Sequence, residues 1–148
     1  MIIQRERYPV ESYAVTSKDG YITILYRTPN NGKPAFVQHG AVSSSEIFVT
    51  ETFQLHNRGY DIWLGNNRGS FNSPEHQYLP KNSREYWNYT NICKLDDLGD
   101  YELPAVIDFI AQKTGKKEKI IYVGHSQGTT IGIIYNLLYP EHAKENLE

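Results

Sequence analysis

The stretch that decides the fold is Lys119-Ile120-Ile121-Tyr122-Val123-Gly124-His125-Ser126-Gln127-Gly128, followed by the segment Thr129–Leu138. The apolar run Lys119–Val123 predicts a buried strand. Thr129–Leu138 has the length and composition of a helix. Only five residues separate these two elements, so the chain must turn sharply from a strand into a helix.

Those five residues, Gly124-His125-Ser126-Gln127-Gly128, fit the pattern G-x-S-x-G. In such a turn the central serine is held in strained backbone geometry with its hydroxyl exposed. Side chains at Gly124 and Gly128 would collide with the neighbouring strand and helix. Gln127 begins the helix, where its N–H can point at a developing oxyanion. We predict that Ser126 is a nucleophile; the alternative is an ordinary glycine-rich turn.

Upstream of this turn, apolar runs alternate with helical segments. The predicted elements are a β-hairpin over Val10–Thr28, a strand at Pro34–Gln38, a helix from Ser43 to about Asn57, a strand at Tyr60–Gly65, a long loop over 71–91 and a helix over Leu95–Thr114. Pro104 marks either a kink in the last helix or its true first turn. This alternation predicts a single α/β domain with a mostly parallel sheet, covered on both faces and carrying an antiparallel hairpin at one edge.

A second candidate site is His39-Gly40-Ala41, directly after the first core strand. When a nucleophile stands on a strand-to-helix turn, a backbone N–H from this loop supplies the other oxyanion donor. We therefore predict an oxyanion hole formed by the N–H groups of Ala41 and Gln127. The alternative is a simple turn in which His39 makes an interior hydrogen bond. Arg68, in the loop after the next strand, is expected to anchor that loop by hydrogen bonds.

Composition excludes several classes of protein. A net charge of -2 and a pI near 6.2 argue against nucleic-acid binding, and no apolar run is long enough to span a membrane. Met1–Arg7 lacks the apolar core of a signal peptide, so we expect either an intracellular protein or a true N-terminus further upstream. Cys93 is the only cysteine, which rules out an internal disulfide. His56 and His76 have no partners at metal-ligand spacing, and we predict no metal.

Five stretches of the chain carry a resemblance to a known family. They are Tyr8–Glu11 with Val15–Ile22, Gln38–Gly40, Gly59–Gly69, Leu103–Ile110 and Tyr122–Thr130. With these motifs the chain resembles the acid lipase family, which includes gastric lipase, lysosomal acid lipase and steryl ester hydrolases. The resemblance runs from about Tyr8 to Lys144. The run Tyr-Asp-Ile-Trp-Leu-Gly-Asn-Asn-Arg-Gly and the serine turn are its most specific parts.

The resemblance implies an α/β-hydrolase fold and hydrolysis of neutral lipid esters, triacylglycerols or sterol esters, through an acyl-enzyme on Ser126. It implies no metal, no organic cofactor, and an association with lipid surfaces in the full-length protein. Members of the family are often secreted or lysosomal, although this chain shows no signal peptide. Relatives usually carry leucine after His-Gly where this chain has Ala41, which leaves the backbone donor in place beside a roomier acyl pocket.

The order of the catalytic triad in this fold is Ser, then Asp or Glu, then His. After Ser126 the chain offers His142 and three glutamates, but His142 lies a helix-length away, beyond Pro140. We therefore expect an incomplete fold, an N-terminal part that lacks the triad acid and histidine, the cap and the last strands, with the strand before Ser126 left as an open apolar edge. The alternatives are a catalytically inactive homologue with a binding or regulatory role, and a different acyl-transfer enzyme such as a thioesterase or peptidase.

Overall fold

A six-stranded mixed sheet forms the centre of the protein, seen in a computed structural model that describes residues 8–88, 95–116 and 119–148. The strands are β1 (Glu11–Thr16), β2 (Tyr21–Thr28), β3 (Pro34–Gln38), β4 (Asp61–Gly65), β5 (Glu75–His76) and β6 (Ile121–Gly124). Their order is β1-β2-β4-β3-β6, and β5 pairs with β2. Cys93, Met1–Arg7 and the end of the predicted 71–91 loop lie outside the described residues.

Four α-helices and two short helical turns complete the described fold. They are a 3₁₀ turn (Ser45–Phe48), α1 (Val49–Asn57), a π-helical turn (Leu98–Glu102), α2 (Leu103–Thr114), α3 (Gln127–Leu138) and α4 (Pro140–Asn146). Within the described ranges, none of the helices has both the length and the apolarity that a membrane crossing requires.

The sheet has an antiparallel half and a parallel half. β1 and β2 form the predicted hairpin, whose turn places Gly20 at φ +96°, a conformation that glycine adopts without strain. β2 also pairs antiparallel with β4 and with β5. β5 corrects the prediction of an unbroken loop over 71–91: Glu75 and His76 have no apolar alternation that would mark them as a strand. Among the described strands, β4, β3 and β6 run parallel. The sheet is therefore mixed, with fewer parallel pairs than the mostly parallel sheet that the sequence predicted.

Both faces of the sheet are covered, as predicted. On one face Phe36 and Trp63, fully buried, pack with residues of α2, α3 and α4. On the other face their sequence neighbours Val37 and Ile62 pack against α1. Because successive side chains of a strand point to opposite faces, two covered faces require nearly continuous apolar runs in β3 and β4.

Pro104 lies in the first turn of α2, which settles the predicted alternative of a kink. A proline ring cannot donate a hydrogen bond to the preceding turn and crowds it, and here the preceding residues form the wider π-helical turn. The predicted helix over Leu95–Thr114 is therefore two elements. The helix expected from Ser43 likewise begins with the 3₁₀ turn. The Ser44 hydroxyl caps this turn by accepting the N–H of Glu46 at 3.4 Å.

Strand β6 is the last strand of the sheet among the described residues. It pairs with β3 on one side, and Val123 is 43% exposed on the edge. Among the described residues, no other strand pairs with the second side of β6 over Ile121–Gly124. Just before it, however, Ile120 is bridged by Leu147, with Glu148 N donating to Ile120 O at 3.1 Å.

Candidate active site

Ser126 stands at the turn between β6 and α3 with φ 52° and ψ −117°. A residue other than glycine rarely adopts a positive φ, because its Cβ crowds the backbone. Ser126 is exposed. Its carbonyl accepts the N–H of Thr129 at 2.9 Å, and the His125 carbonyl accepts that of Gly128 at 2.9 Å. The turn therefore closes on itself through main-chain hydrogen bonds and presents the serine outwards.

The two glycines of the motif are required by space. A Cβ on Gly124 would lie 2.7 Å from Gly128 C and 2.7 Å from Thr129 N, inside the first turn of α3. A Cβ on Gly128 would lie 2.5 Å from the carbonyl oxygen of Gln38, at the end of β3. These atoms belong to the backbone and cannot move aside alone. The collisions with a neighbouring strand and helix that the sequence predicts are thus present.

The loop after β3 meets the elbow formed by residues 124–128. Gln38 pairs with Gly124 in the sheet, and His125 N donates to Gln38 O at 3.0 Å. The approach is close enough that a Cβ on Gly40 would lie 2.9 Å from the Ser126 Cβ. The structure therefore brings the two sequence-predicted sites together.

Ala41 and Gln127, the two predicted oxyanion donors, line the same cavity. Among the described residues, neither of their backbone N–H groups has a hydrogen-bond acceptor. Gln127 is the first residue of α3, where N–H groups lack partners within the helix and where the helix dipole favours an anion. Two open N–H groups beside an exposed serine form a site that can accept a negatively charged oxygen.

His39 is buried and engaged at both ring nitrogens. Its Nδ1 lies 2.6 Å from Gly40 O, and its Nε2 lies 3.0 Å from Asn67 N. A backbone N–H can only donate and a carbonyl can only accept, so these partners require a neutral ring with the proton on Nδ1. Burial lowers the pKa of His39, against the opposing hydrogen bond to Gly40. His39 therefore makes the interior hydrogen bond that was the alternative prediction, and the same loop also places Ala41 beside the cavity, as expected of an oxyanion donor.

Residues 66–73, the β4 loop, are tied down by side chains. The Asn66 amide accepts the N–H of Ser45 at 3.0 Å and donates to Ile24 O at 3.1 Å. The Ser73 hydroxyl donates to Asn66 O at 2.8 Å and accepts from Ile24 N at 2.8 Å. Each of these bonds joins the loop to itself or to a distant segment, so the loop is fixed between β2 and the first helical turn.

Arg68 anchors this loop, as predicted, through a buried ion pair. Its Nε donates to Glu102 at 2.8 Å, and its backbone N donates to the same carboxylate at 3.2 Å. The guanidinium also pairs with Asp19 and lies 4.0 Å from the centre of the Tyr21 ring. Burial raises the pKa of Glu102, and Arg68 opposes that rise. Glu102 is not among the residues predicted from the sequence, although its position as an acid directly before the apolar start of α2 was an available signal.

A cavity of about 1000 Å³ opens beside the elbow. Its walls come from the loop after β3, the β4 loop and the segment before α2. Four of its apolar side chains are also exposed at the surface: Val42, Ile47, Phe71 and Trp87. A concave space of this size with mostly apolar walls suits an elongated apolar ligand.

No histidine of the described residues forms a hydrogen bond with Ser126. Besides His39, the rings of His56, His76 and His142 contact Pro29 O, Asp19 O and Asp108 Oδ1 respectively. His142 Nδ1 also lies 2.6 Å from the Tyr135 hydroxyl. As expected, His142 lies in α4, beyond the C-terminal end of α3 and away from the elbow. His125 packs edge-on against Phe48. In the same ranges, no group of three or more His, Cys, Asp or Glu side chains is placed to hold a metal ion.

This fold and this turn define an α/β hydrolase. The model of the alpha/beta hydrolase fold matches residues 34–145, and the chain belongs to that family. A second model, the partial alpha/beta-hydrolase lipase region, matches residues 1–52. Among solved structures, an esterase from Pyrococcus furiosus superposes with a TM-score of 0.69 at 17% identity, over 94% of this chain and 51% of that one. An esterase from Exiguobacterium antarcticum gives a TM-score of 0.63 at 18% identity, over 93% and 42%.

More specific relatives confirm the resemblance to the acid lipases. The chain is 44% identical to gastric triacylglycerol lipase of Mus musculus, over 93% of this chain and 38% of that protein. It is 43% identical to lipase member K of Homo sapiens, over 97% and 39%. It is 40% identical to human lysosomal acid lipase/cholesteryl ester hydrolase, over 97% and 38%. The chain thus spans about two fifths of the length of these relatives.

Proposed function

We propose that the protein contributes the nucleophile and the oxyanion hole of a serine-dependent lipid ester hydrolase. The observation that carries this proposal is the geometry of Ser126, an exposed serine at φ 52° that precedes the open Gln127 N–H and is approached closely by the loop carrying the Ala41 N–H. A strained, exposed serine at a strand-to-helix turn is the arrangement that acyl transfer requires. The names of the acid lipase relatives support the same chemistry.

In this reaction the Ser126 Oγ attacks the ester carbonyl while a general base takes the hydroxyl proton. The carbonyl oxygen becomes negatively charged and accepts hydrogen bonds from the N–H groups of Ala41 and Gln127. The tetrahedral intermediate collapses, the base returns the proton to the leaving alcohol, and an acyl-serine remains. A water molecule then repeats the sequence and releases the fatty acid.

The substrate class follows from the cavity and the relatives. Walls that include Leu98 and the exposed apolar rim of Val42, Ile47, Phe71 and Trp87 favour a long hydrocarbon chain over a polar one. Relatives are named for triacylglycerols and cholesteryl esters. We therefore propose neutral lipid esters as substrates and the apolar rim as the part that meets a lipid surface.

None of the described histidines forms the hydrogen bond with Ser126 that a general base requires. We propose that a histidine and an acid outside these 148 residues complete the triad, in the order Ser, acid, His. The chain covers 38–39% of its acid lipase relatives, which leaves ample length for both. Without them Ser126 is a weak nucleophile, and the 148-residue chain alone should be slower by several orders of magnitude.

A fluorophosphonate probe tests both statements. We expect the protein from its complete reading frame to be labelled at Ser126, with loss of labelling in Ser126→Ala, and the isolated 148-residue chain to be labelled far more slowly. Hydrolysis of p-nitrophenyl esters of increasing chain length, with thioesters and peptides as competitors, then tests the substrate class. A preference for thioesters or peptides contradicts the lipid assignment.

A catalytically inactive homologue with a binding or regulatory role is the second candidate. It is favoured by the placement of the described histidines, each of which lies away from the Ser126 hydroxyl or is already engaged. A reading frame that stops after Glu148, together with no labelling of Ser126, would decide for this alternative.

A further inference from the structure

We propose that His39 is a positioning residue that aims the Ala41 N–H at the oxyanion, and that the β4 loop sets the ring for this task. The inference deepens the proposed function and rests on it. Ala41 is exposed in a loop, and its methyl side chain makes no hydrogen bond. Another residue must therefore hold the Ala41 N–H in place. The peptide between Gly40 and Ala41 is the point where that can be done.

A trans peptide is planar, and its C=O and N–H point in opposite directions. The Gly40–Ala41 peptide is trans, as are the other peptide bonds of the described residues. Its oxygen lies 2.6 Å from His39 Nδ1, on the buried side of the loop. The N–H of the same peptide therefore points away from the buried ring, to the side where Ala41 and Gln127 share a cavity wall. One hydrogen bond to Gly40 O fixes the direction of the donor.

That hydrogen bond requires the proton on Nδ1, and the β4 loop ensures that it is there. Asn67 N–H donates to Nε2 at 3.0 Å, so Nε2 must keep its lone pair. The Asn67 side chain also accepts from Gln38 Nε2 at 2.7 Å, which ties the two loops together a second time. Asn67 is held in turn by its neighbour Arg68, whose backbone and guanidinium both bind Glu102.

The hydrogen-bonded series thus runs from a buried carboxylate to the oxyanion donor. Glu102 holds Arg68, the adjacent Asn67 N–H selects the ring tautomer, and the ring holds Gly40 O. This gives a positioning function to the Asn66-Asn67-Arg68-Gly69 motif. It also explains why the histidine before Gly40 is buried with both nitrogens paired.

Two substitutions separate the two bonds of the ring. In His39→Asn the amide nitrogen stands as many bonds from Cβ as Nδ1 does, so it can still donate to Gly40 O. In His39→Gln the amide reaches the position of Nε2, so it can still accept from Asn67 but loses the bond to Gly40. His56→Gln is the matched control, since His56 contacts Pro29 O far from the elbow.

The test is the labelling rate of Ser126 with a fluorophosphonate, and ester hydrolysis, in the protein from its complete reading frame. Loss of one oxyanion donor typically costs a factor of 10²–10³, so misaiming it in His39→Gln should slow labelling about 10- to 100-fold, while His39→Asn stays within about threefold of wild type. We expect kcat to fall with KM nearly unchanged, and His56→Gln to match wild type.

Equal rates for His39→Gln and wild type, or a slower rate for His39→Asn than for His39→Gln, overturn the inference alone. Absence of labelling in wild type overturns the proposed function and the inference with it. If His39→Gln does not fold, the ¹⁵N NMR shifts of the wild-type imidazole decide. A protonated Nδ1 and a bare Nε2 support the inference, and the opposite tautomer contradicts it.

Discussion

The elbow (residues 124–128) and the β4 loop (residues 66–73) lie on opposite sides of the loop after β3, yet they are held in different ways. The elbow is fixed by backbone contacts: missing Cβ atoms at Gly124 and Gly128 allow strand, turn and helix to touch. The β4 loop is fixed by side chains, through Asn66, Asn67 and Arg68. The elbow thus depends on a local steric constraint and the β4 loop on a long-range polar network, and mutations should destabilise the two regions to different extents.

The largest loss of unfolding free energy should come from breaking the polar network of the β4 loop. Glu102→Ala removes one of the two carboxylates that pair with the fully buried Arg68 guanidinium and leaves Asp19 as the remaining one. Breaking a buried pair from one side costs about 3–5 kcal/mol of unfolding free energy, and with Asp19 still in place we expect the lower end, about 3 kcal/mol. Urea denaturation measures this loss. The matched control is Glu148→Ala, which breaks the exposed pair with Lys33 and should cost less than about 1 kcal/mol. Equal losses in the two variants would mean that the buried pair does not hold the β4 loop.

A smaller loss is expected when the steric constraint of the elbow is broken. In Gly128→Ala the added Cβ would lie 2.5 Å from the Gln38 carbonyl, and pushing α3 away from β3 should cost about 2–3 kcal/mol. The control is Gly115→Ala at the end of α2, where a Cβ meets nothing within 4 Å and only the left-handed φ of +67° is strained, so the cost is about 1 kcal/mol. If thermal unfolding shows the same loss for both, then space is not what selects glycine at position 128.

The same difference explains what the sequence could predict. The elbow was predictable because its constraint is local: two glycines at fixed spacing between an apolar strand and a helix imply a close backbone approach. Strands β3 and β4 were predictable because two covered faces demand apolar residues. Strand β5 was missed because its two residues, Glu75 and His76, are too short a stretch to show the alternation that marks a strand.

The partners of the β4 loop were beyond sequence reasoning for another reason. Arg68 was expected to anchor its loop, but its partners Glu102 and Asp19 lie far away along the chain. Likewise the pairing of His39 with Asn67 depends on β3 and β4 being neighbours with a particular register. Such pairs are decided by tertiary packing: the sequence marks Glu102 as an acid before α2, but it does not indicate that Glu102 pairs with Arg68.

The smallest expected change in the free energy of unfolding concerns Ser126, whose strained backbone lowers the stability of the elbow. Ser126 is held at φ 52° and ψ −117°, which costs a non-glycine residue about 1–3 kcal/mol. Glycine adopts this conformation freely and loses somewhat more chain entropy on folding. Ser126→Gly should therefore raise the free energy of unfolding by about 1 kcal/mol, whereas Ser126→Ala, which keeps the Cβ, should leave it nearly unchanged. Urea midpoints of the two variants measure the difference. A stabilised glycine variant identifies the strain as one kept for the serine hydroxyl, and a destabilised one would show that the turn is relaxed and that its geometry gives no support to a nucleophile at this position.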